Sequence, residues 1–265
     1  MKEFFGIGGY QRTPEGAYSW QHLTFVGLLL MAMVVLAVWL GRRNRKKDEC
    51  TRNRALVWAA ILIDGFELIK IGLACYGSTI GGSPWYRGIL YNLPLFLCSI
   101  QLITIPLAAF SKGRMKEAAL DFVSIFGLLG AVLGTVGAAQ NYGCYPVLSF
   151  DNVVSGITHT ISGFAALYIL LSGMASMKRR NMPLTFTILL SFGVLAHIAN
   201  AVLDYNYMFL VAGDGTPYDI LYNLVGGSPV IYPMAVMALF IVYIVLFYGG
   251  YYLVNKKKVV SMVTA

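Results

Sequence analysis

Charged residues are scarce in this 265-residue sequence, which is 58% hydrophobic and only 12% charged. Soluble domains carry about 25% charged residues, so the composition excludes an ordinary soluble enzyme or binding domain. Low-complexity segments are also lacking, and no convincing internal repeat is present. We therefore expect a polytopic membrane protein of the all-α class, with one integral membrane domain covering residues 1–265.

Long apolar runs account for most of the chain. A membrane-spanning helix needs about 20 mostly apolar residues. Seven runs reach this length, and we take them as spans one to seven: 22–40, 55–76, 92–110, 119–137, 152–174, 184–207 and 229–254. The sequence thus predicts a seven-transmembrane helix bundle. Pro94 is tolerated in the first turn of a helix, so we expect span three to be helical from residue 92.

Most basic residues lie on one side of this predicted bundle. Sixteen of the twenty Lys and Arg lie between spans one and two, three and four, and five and six, or after span seven. Positive charge marks the cytoplasmic side, so we expect an outside N-terminus and a cytoplasmic C-terminus. The net charge of +8 then reflects topology signals and contacts with membrane lipids, and we expect no nucleic-acid partner.

The predicted location is the plasma membrane, as a multi-pass protein. The first 21 residues contain no basic region that leads directly into a short apolar core. We therefore expect no cleavable signal peptide, and we expect the first span to insert uncleaved. The sequence leaves the oligomeric state open.

Three ionisable residues interrupt span two. Asp64, Glu67 and Lys70 follow one another at i+3 spacing, at which neighbours on a helix can pair. Charged groups within a membrane are costly and usually face a bundle interior or a watery cavity. Two interpretations remain open: a structural ion pair that joins helices, or the wall of a site for a proton, a cation or a substrate.

Polar residues also form stripes on other spans. On span six, His197, Asn200 and Asp204 lie at i, i+3 and i+7, so we expect them on one helical face. The remaining candidate cavity residues are Asn92 and Gln101 in span three, Thr158 in span five, and Asn206 at the end of span six. We predict that spans two, three, five and six enclose an outward-facing polar cavity.

Cys98 and His159 are the candidate reactive pair. Each lies about seven residues into a span, and the two spans run in the same direction, so both reach a depth of about 10 Å. A lone cysteine in a helix usually behaves as a small apolar residue. Beside a histidine base, however, a cysteine can act as a nucleophile. Both interpretations of Cys98 remain open on spacing alone.

The four cysteines show no metal-binding spacing, and we predict no metal site and no cofactor. Cys50 is expected to face the cytoplasm. Cys75 and Cys144 are both expected near the outer surface, where they form either a disulfide or two free thiols.

Three segments resemble the bacterial YwaF-like integral membrane proteins. They are Leu-Pro-Leu-Phe-Leu-Cys at 93–98, His159 followed by Ala-Ala-Leu-Tyr at 165–168, and Asn-Tyr-Met-Phe-Leu at 206–210. The resemblance covers essentially the whole chain and agrees with a seven-span layout. More distantly, the chain is similar to eukaryotic transmembrane lipid acyltransferases and to the androgen-induced lipid-ester hydrolases.

The resemblance implies a nucleophile and a histidine within the membrane. His159 corresponds to the histidine expected in the fifth span. Cys98 ends the first segment, and the nucleophile of the eukaryotic relatives aligns there or slightly earlier, near Leu95. Family members often carry histidine where this chain has Phe96, a side chain that cannot donate, accept or ligate.

Three functions follow as hypotheses. The first is acyl transfer or ester hydrolysis on lipids, with Cys98 as nucleophile, His159 as base, and Asn200, Gln101 or Thr158 as oxyanion donors. The alternative is a transporter or small-ligand binding protein, and the residues that would line its path are Asp64, Glu67, Lys70, His197 and Asp204. The third hypothesis is a structural or assembly partner, in which the polar stripes hold the helices together.

Overall fold

The computed structural model describes residues 3–7 and 9–263, and the side chains as far as residue 254. It divides into two compact units, Met1–Ser176 and Met177–Ala265. Across the described residues the regular structure is helical, without strands, which confirms the predicted all-α class.

Seven helices make up the first unit: α1 (Trp20–Asn44), α2 (Glu49–Ile80), α3 (Arg87–Leu90), α4 (Gln101–Phe110), α5 (Gly113–Leu133), α6 (Ala139–Cys144) and α7 (Phe150–Ser172). The second unit contains α8 (Met182–Leu203), α9 (Tyr218–Leu224) and α10 (Ile231–Val263). Short 3₁₀ turns at Arg179–Asn181 and Tyr207–Phe209 flank α8.

Four helices of the described chain are long and apolar enough to cross a membrane: Trp20–Asn44, Phe150–Ser172, Arg179–Leu203 and Ile231–Val254. They overlap the predicted spans one, five, six and seven. The helices α2 and α5 cover most of predicted spans two and four. The count of seven spans and their orientation stay predictions.

Side-chain caps define where several helices begin. Ser19 accepts a hydrogen bond from the His22 N–H at the start of α1, and Ser149 accepts one from the Asn152 N–H at the start of α7. Asp48 caps α2 in the same way, because its carboxylate accepts from the Thr51 N–H at 2.9 Å and from the Thr51 hydroxyl at 2.7 Å. These bonds hold the pKa of Asp48 below its usual value.

Small residues bring the helices of the first unit close together. A β-carbon added at Gly127 of α5 would lie 2.8 Å from the Ser162 carbonyl oxygen of α7, and one at Gly163 would lie 2.6 Å from the Ala131 side chain. Close backbone approach of this kind is typical of membrane helix packing. The buried core around this contact comprises Leu56, Ala59, Ala60, Ile63, Ile105, Ala108, Ala109, Ala119, Leu120, Val123, Ala165, Tyr168 and Ile169.

Predicted span three is broken. The expected continuous helix over 92–110 is wrong, since residues 91–100 form turns and α4 begins only at Gln101. The residue before a proline avoids helical backbone angles, and Pro94 has no N–H to donate. The Asn92 side chain instead donates to the Gly88 carbonyl at 2.8 Å and closes the end of α3.

The N-terminal segment folds over the start of α7. Phe150 N–H donates to the Phe4 carbonyl at 2.8 Å, and the Tyr10 hydroxyl donates to Asp151 at 2.7 Å. Burial, with the neighbouring Asp151 carboxylate, raises the pKa of Tyr10 well above its usual value. The Glu15 carboxylate accepts from the Val147 N–H at 2.8 Å. Several independent bonds therefore tie this segment to the first unit.

His22, the third residue of α1, is fully buried, and its ring stacks on Tyr142 of α6 with 3.8 Å between centroids. Nδ1 accepts from the Tyr18 N–H at 2.9 Å, and Nε2 lies 3.2 Å from the Thr135 carbonyl oxygen. The ring is therefore held between α1 and the segment that follows α5.

In the second unit α8 ends earlier than span six predicts. Asp204 adopts a left-handed backbone with φ of 50° and terminates the helix. The predicted common face of His197, Asn200 and Asp204 is therefore wrong. His197 and Asp204 are exposed, whereas Asn200 is buried with 5% exposure.

Candidate active site

Cys98 and His159 meet the same face of α5. The Cys98 β-carbon lies 3.5 Å from the position that a β-carbon at Gly130 would take. The His159 ring occupies the space beside Gly134. Residues four apart on a helix lie about 6 Å apart along its axis, so Cys98 and His159 contact positions that are about one turn apart.

An ammonium group lies near both side chains. Lys70 of α2 interacts electrostatically with the Cys98 thiol and with the His159 ring. Its Nζ forms an ion pair with Glu67 Oε1 at 2.6 Å, and the two side chains are 20% and 11% exposed. Asp64 lies one turn earlier and interacts with Glu67 through charge repulsion. The helix α2 thus supplies three ionisable side chains to the site, Asp64, Glu67 and Lys70, which we call the charged wall.

The break in span three gives Cys98 an environment that a regular helix would not provide. Cys98 lies in the turn that leads into α4, where the Gln101 N–H donates to the Cys98 carbonyl at 3.3 Å. The Ser99 hydroxyl lies 4.0 Å from the sulfur. The backbone N–H groups of Cys98 and Ser99 also lie close to the thiol. Non-helical backbone at membrane depth is tolerated where protein buries it or where it lines a cavity.

Gln101 is the first residue of α4 and is completely buried. Its Oε1 accepts from the Thr104 hydroxyl at 3.1 Å. Its Nε2 has no hydrogen-bond partner among the described residues. A buried donor without a partner is uncommon and calls for an explanation.

The other predicted site residues serve mainly local structure. The Thr158 hydroxyl donates to the Ser155 carbonyl at 3.0 Å, within α7. Asn200 exchanges two bonds with the Tyr207 backbone, and Asn206 Nδ2 donates to the Ala212 carbonyl at 2.8 Å. Asn200 and Asn206 belong to the second unit, so the predicted cavity draws on both units and stays a prediction.

Three residues of the first unit were not among the predicted site residues. In the sequence Gly130 and Gly134 are simply small residues of an apolar run, yet Cys98 and His159 lie against them. Asp121 of α5 is fully buried and accepts from the Ser176 N–H at 3.2 Å. A single carboxylate inside the apolar run 119–137 was the signal that could have identified it.

All four cysteines are free, so the alternative of a Cys75–Cys144 disulfide is not realised. In the described part of the chain, no group of three His, Cys, Asp or Glu side chains is placed to hold a metal ion. The site is therefore built from a thiol, an imidazole, an ion pair and a buried amide.

The helical fold and the apolar helices define an integral membrane protein with several candidate spans. The model of the TMEM164 family matches residues 17–251, and the chain belongs to that family. No curated protein and no solved structure matches the chain significantly. The resemblance to YwaF-like proteins and to lipid acyltransferases stays a prediction.

Proposed function

We propose that this membrane protein acts on lipid acyl groups, by acyl transfer or ester hydrolysis. The observation that carries the proposal is the placement of Cys98 against Gly130 of α5 and of His159 against Gly134, the residue that caps this helix one turn later. Covalent acyl chemistry requires a base that comes within hydrogen-bond reach of the nucleophile, and apo geometry is often looser than this. Cys98 is the proposed nucleophile and His159 the proposed base.

In the first half of the reaction, His159 takes the thiol proton and the sulfur attacks the carbonyl carbon of the ester. A C–S bond forms, and the carbonyl π electrons move to the oxygen. When the tetrahedral intermediate collapses, the C–O bond breaks and the leaving alkoxide takes the proton from His159. The product is a thioester on Cys98 and a released alcohol.

In the second half, His159 removes a proton from an incoming hydroxyl group. That oxygen attacks the thioester carbonyl, the C–S bond breaks, and the proton passes from His159 to the sulfur. An incoming lipid alcohol gives acyl transfer, whereas water gives hydrolysis.

The charged wall on α2 supports this chemistry. Burial opposes ionisation of the Cys98 thiol, and a positive charge nearby works against that effect by favouring the reactive thiolate. Lys70 supplies that charge from a side chain that is only 20% exposed. The neighbouring Glu67 keeps the ammonium in place through the 2.6 Å ion pair.

Intact-mass spectrometry tests the proposal. The purified full-length protein is incubated in lipid nanodiscs with a phospholipid that carries an alkyne-tagged acyl chain. We expect an acyl adduct on wild-type protein, none on Cys98→Ser, a slower adduct on His159→Gln, and an unchanged adduct on Cys50→Ser, which alters an exposed thiol. No wild-type adduct, or an adduct that persists in Cys98→Ser, overturns the proposal.

A second candidate function is the binding or transport of a proton or small cation. Asp64 favours it, because this half-buried carboxylate has no hydrogen bond or ion pair within the described residues. An intramembrane carboxylate without a partner is a common element of ion pathways. Proteoliposomes that carry a pH gradient test this function: it requires a flux that Asp64→Asn abolishes, and equal flux in both proteins refutes it.

A further inference from the structure

We propose that the side-chain amide of Gln101 donates the hydrogen bond that stabilises the acyl oxyanion at Cys98. This inference rests on the proposed acyl chemistry and adds a catalytic residue to it. The tetrahedral intermediate carries a negative oxygen, and a preorganised N–H donor aimed at that oxygen is a major source of rate in acyl transfer.

Three side chains were candidates for this donor, and the structure separates them. Asn200 uses both ends of its amide on Tyr207, with Nδ2 donating to the carbonyl at 3.0 Å and Oδ1 accepting from the N–H. Thr158 uses its hydroxyl hydrogen on the Ser155 carbonyl. Gln101 alone of the three keeps an amide nitrogen that is buried and has no partner among the described residues.

The amide of Gln101 is also held in one orientation. The hydroxyl of Thr104, itself fully buried, lies 3.1 Å from Gln101 Oε1 and 3.2 Å from the Ile100 carbonyl oxygen, and its single hydrogen serves one acceptor at a time. With that hydrogen on Oε1, the planar amide directs Nε2 to the opposite side. The donor is therefore oriented before any substrate arrives, which is the condition for electrostatic preorganisation.

Position along the chain puts this donor on the same side as the nucleophile. The Gln101 N–H bonds to the Cys98 carbonyl at 3.3 Å, so both residues belong to one turn, in which side chains three residues apart share a face. The Ser99 N–H, in the residue that directly follows the nucleophile, is the second donor that this proposal assigns to the oxyanion hole. In hydrolases with a nucleophile elbow, the residue after the nucleophile provides a donor of this kind.

The test compares two reactions of the same thiol. Acylation of Cys98 by the tagged phospholipid passes through an oxyanion, whereas alkylation by iodoacetamide is a direct displacement that does not need one. We expect Gln101→Leu to slow acylation by about 10²–10³-fold while alkylation proceeds at the wild-type rate. Gln101→Glu has the same shape without the N–H₂ donor and is expected to give the same split, even if the leucine variant folds poorly.

The outcomes separate this inference from the proposed function. If wild-type protein forms no acyl adduct, the acyl chemistry itself is overturned. If the wild type acylates and both variants acylate at the same rate, only the role of Gln101 is overturned. An equal loss of acylation and alkylation would show a structural role and would also overturn it.

Discussion

The imidazole ring of His159 fills the space beside Gly134 that any larger side chain would need. Gly134→Ala must therefore displace the ring. A misplacement of about 1 Å in a catalytic group can lower a rate roughly 100-fold, and we expect a loss of that order in acyl-adduct formation. The measurement is the rate of adduct formation on Cys98 by intact mass.

Gly27→Ala is the control for this substitution. Gly27 lies in α1 with no neighbouring atom within 4 Å of an added β-carbon, so the change should leave the rate unaltered. An equal rate in Gly134→Ala and wild type would show that the position of His159 does not matter to the reaction.

The Glu67–Lys70 pair can be tested as a structural element and as a functional one. Removing one member of a buried ion pair leaves the other uncompensated, which costs about 3–5 kcal/mol. We expect Lys70→Met to lower the free energy of unfolding by about 3 kcal/mol, at the low end because the side chains are 20% and 11% exposed. The double variant Glu67→Gln/Lys70→Met should recover most of that loss in thermal unfolding experiments.

The double variant also distinguishes the two interpretations of the pair. If Lys70 supports the thiolate, the recovered protein will still form the acyl adduct slowly. A double variant that acylates at the wild-type rate would show that Lys70 does not support the thiolate.

Asn200 provides a comparison between two residues of one helix. Its side chain satisfies both the N–H and the carbonyl of Tyr207, which is fully buried. Asn200→Ala leaves these two backbone groups unpaired, and we expect a loss of about 2–3 kcal/mol in stability. His197→Ala, at an exposed position of the same helix, should change stability by less than about 0.5 kcal/mol. Equal losses in the two variants would contradict the assignment.

The long apolar helices could be predicted from sequence because their signal is local. Hydrophobic length identifies α1, α7, α8 and α10 directly, whereas the pairing of Cys98 with His159, suggested by equal depth in parallel spans, stays a prediction. The predicted fold class and the predicted pair of Cys98 and His159 both depend on local signals, namely hydrophobic length and position within a span.

Other features depend on contacts between distant segments and could not be read from periodicity. His22 is buried because Tyr142 and the Thr135 carbonyl, more than 100 residues further along the chain, pack against its ring. The turn at Cys98 depends on the chain around Pro94. The apolar sequence favours a helix there, but the residue before Pro94 avoids helical backbone angles, and the Asn92 side chain bonds to the Gly88 carbonyl instead. Asp204 fits the helical pattern of span six, and only the left-handed backbone at that residue removes it from the expected face.

The redox state of the four cysteines can be tested by counting the reactive thiols. Since all four thiols are free, unfolding the purified protein without a reductant should expose four reactive thiols. A disulfide between Cys75 and Cys144 would reduce that number to two. Thiol titration in denaturant, with and without prior reduction, measures the difference, and Cys144→Ser should lower the count by one.

The N-terminal segment should loosen in acid through Glu15. Burial raises the pKa of this carboxyl, but the bond from the Val147 N–H and the charge of Arg12 outweigh burial and hold the pKa below its usual 4.5. Because the folded pKa is depressed, the carboxylate stabilises the fold above pH 4.5, and this contribution is lost as the pH falls through the folded value. Its size at neutral pH should be about 1.5 kcal/mol, as for a hydrogen bond to a charged group.

Hydrogen exchange at Val147, corrected for the intrinsic rate, measures this loosening. Exchange should accelerate below pH 4.5 in the wild type, whereas Glu15→Gln should show weaker protection without that pH dependence. The same acid response in both proteins would assign the loosening to another group.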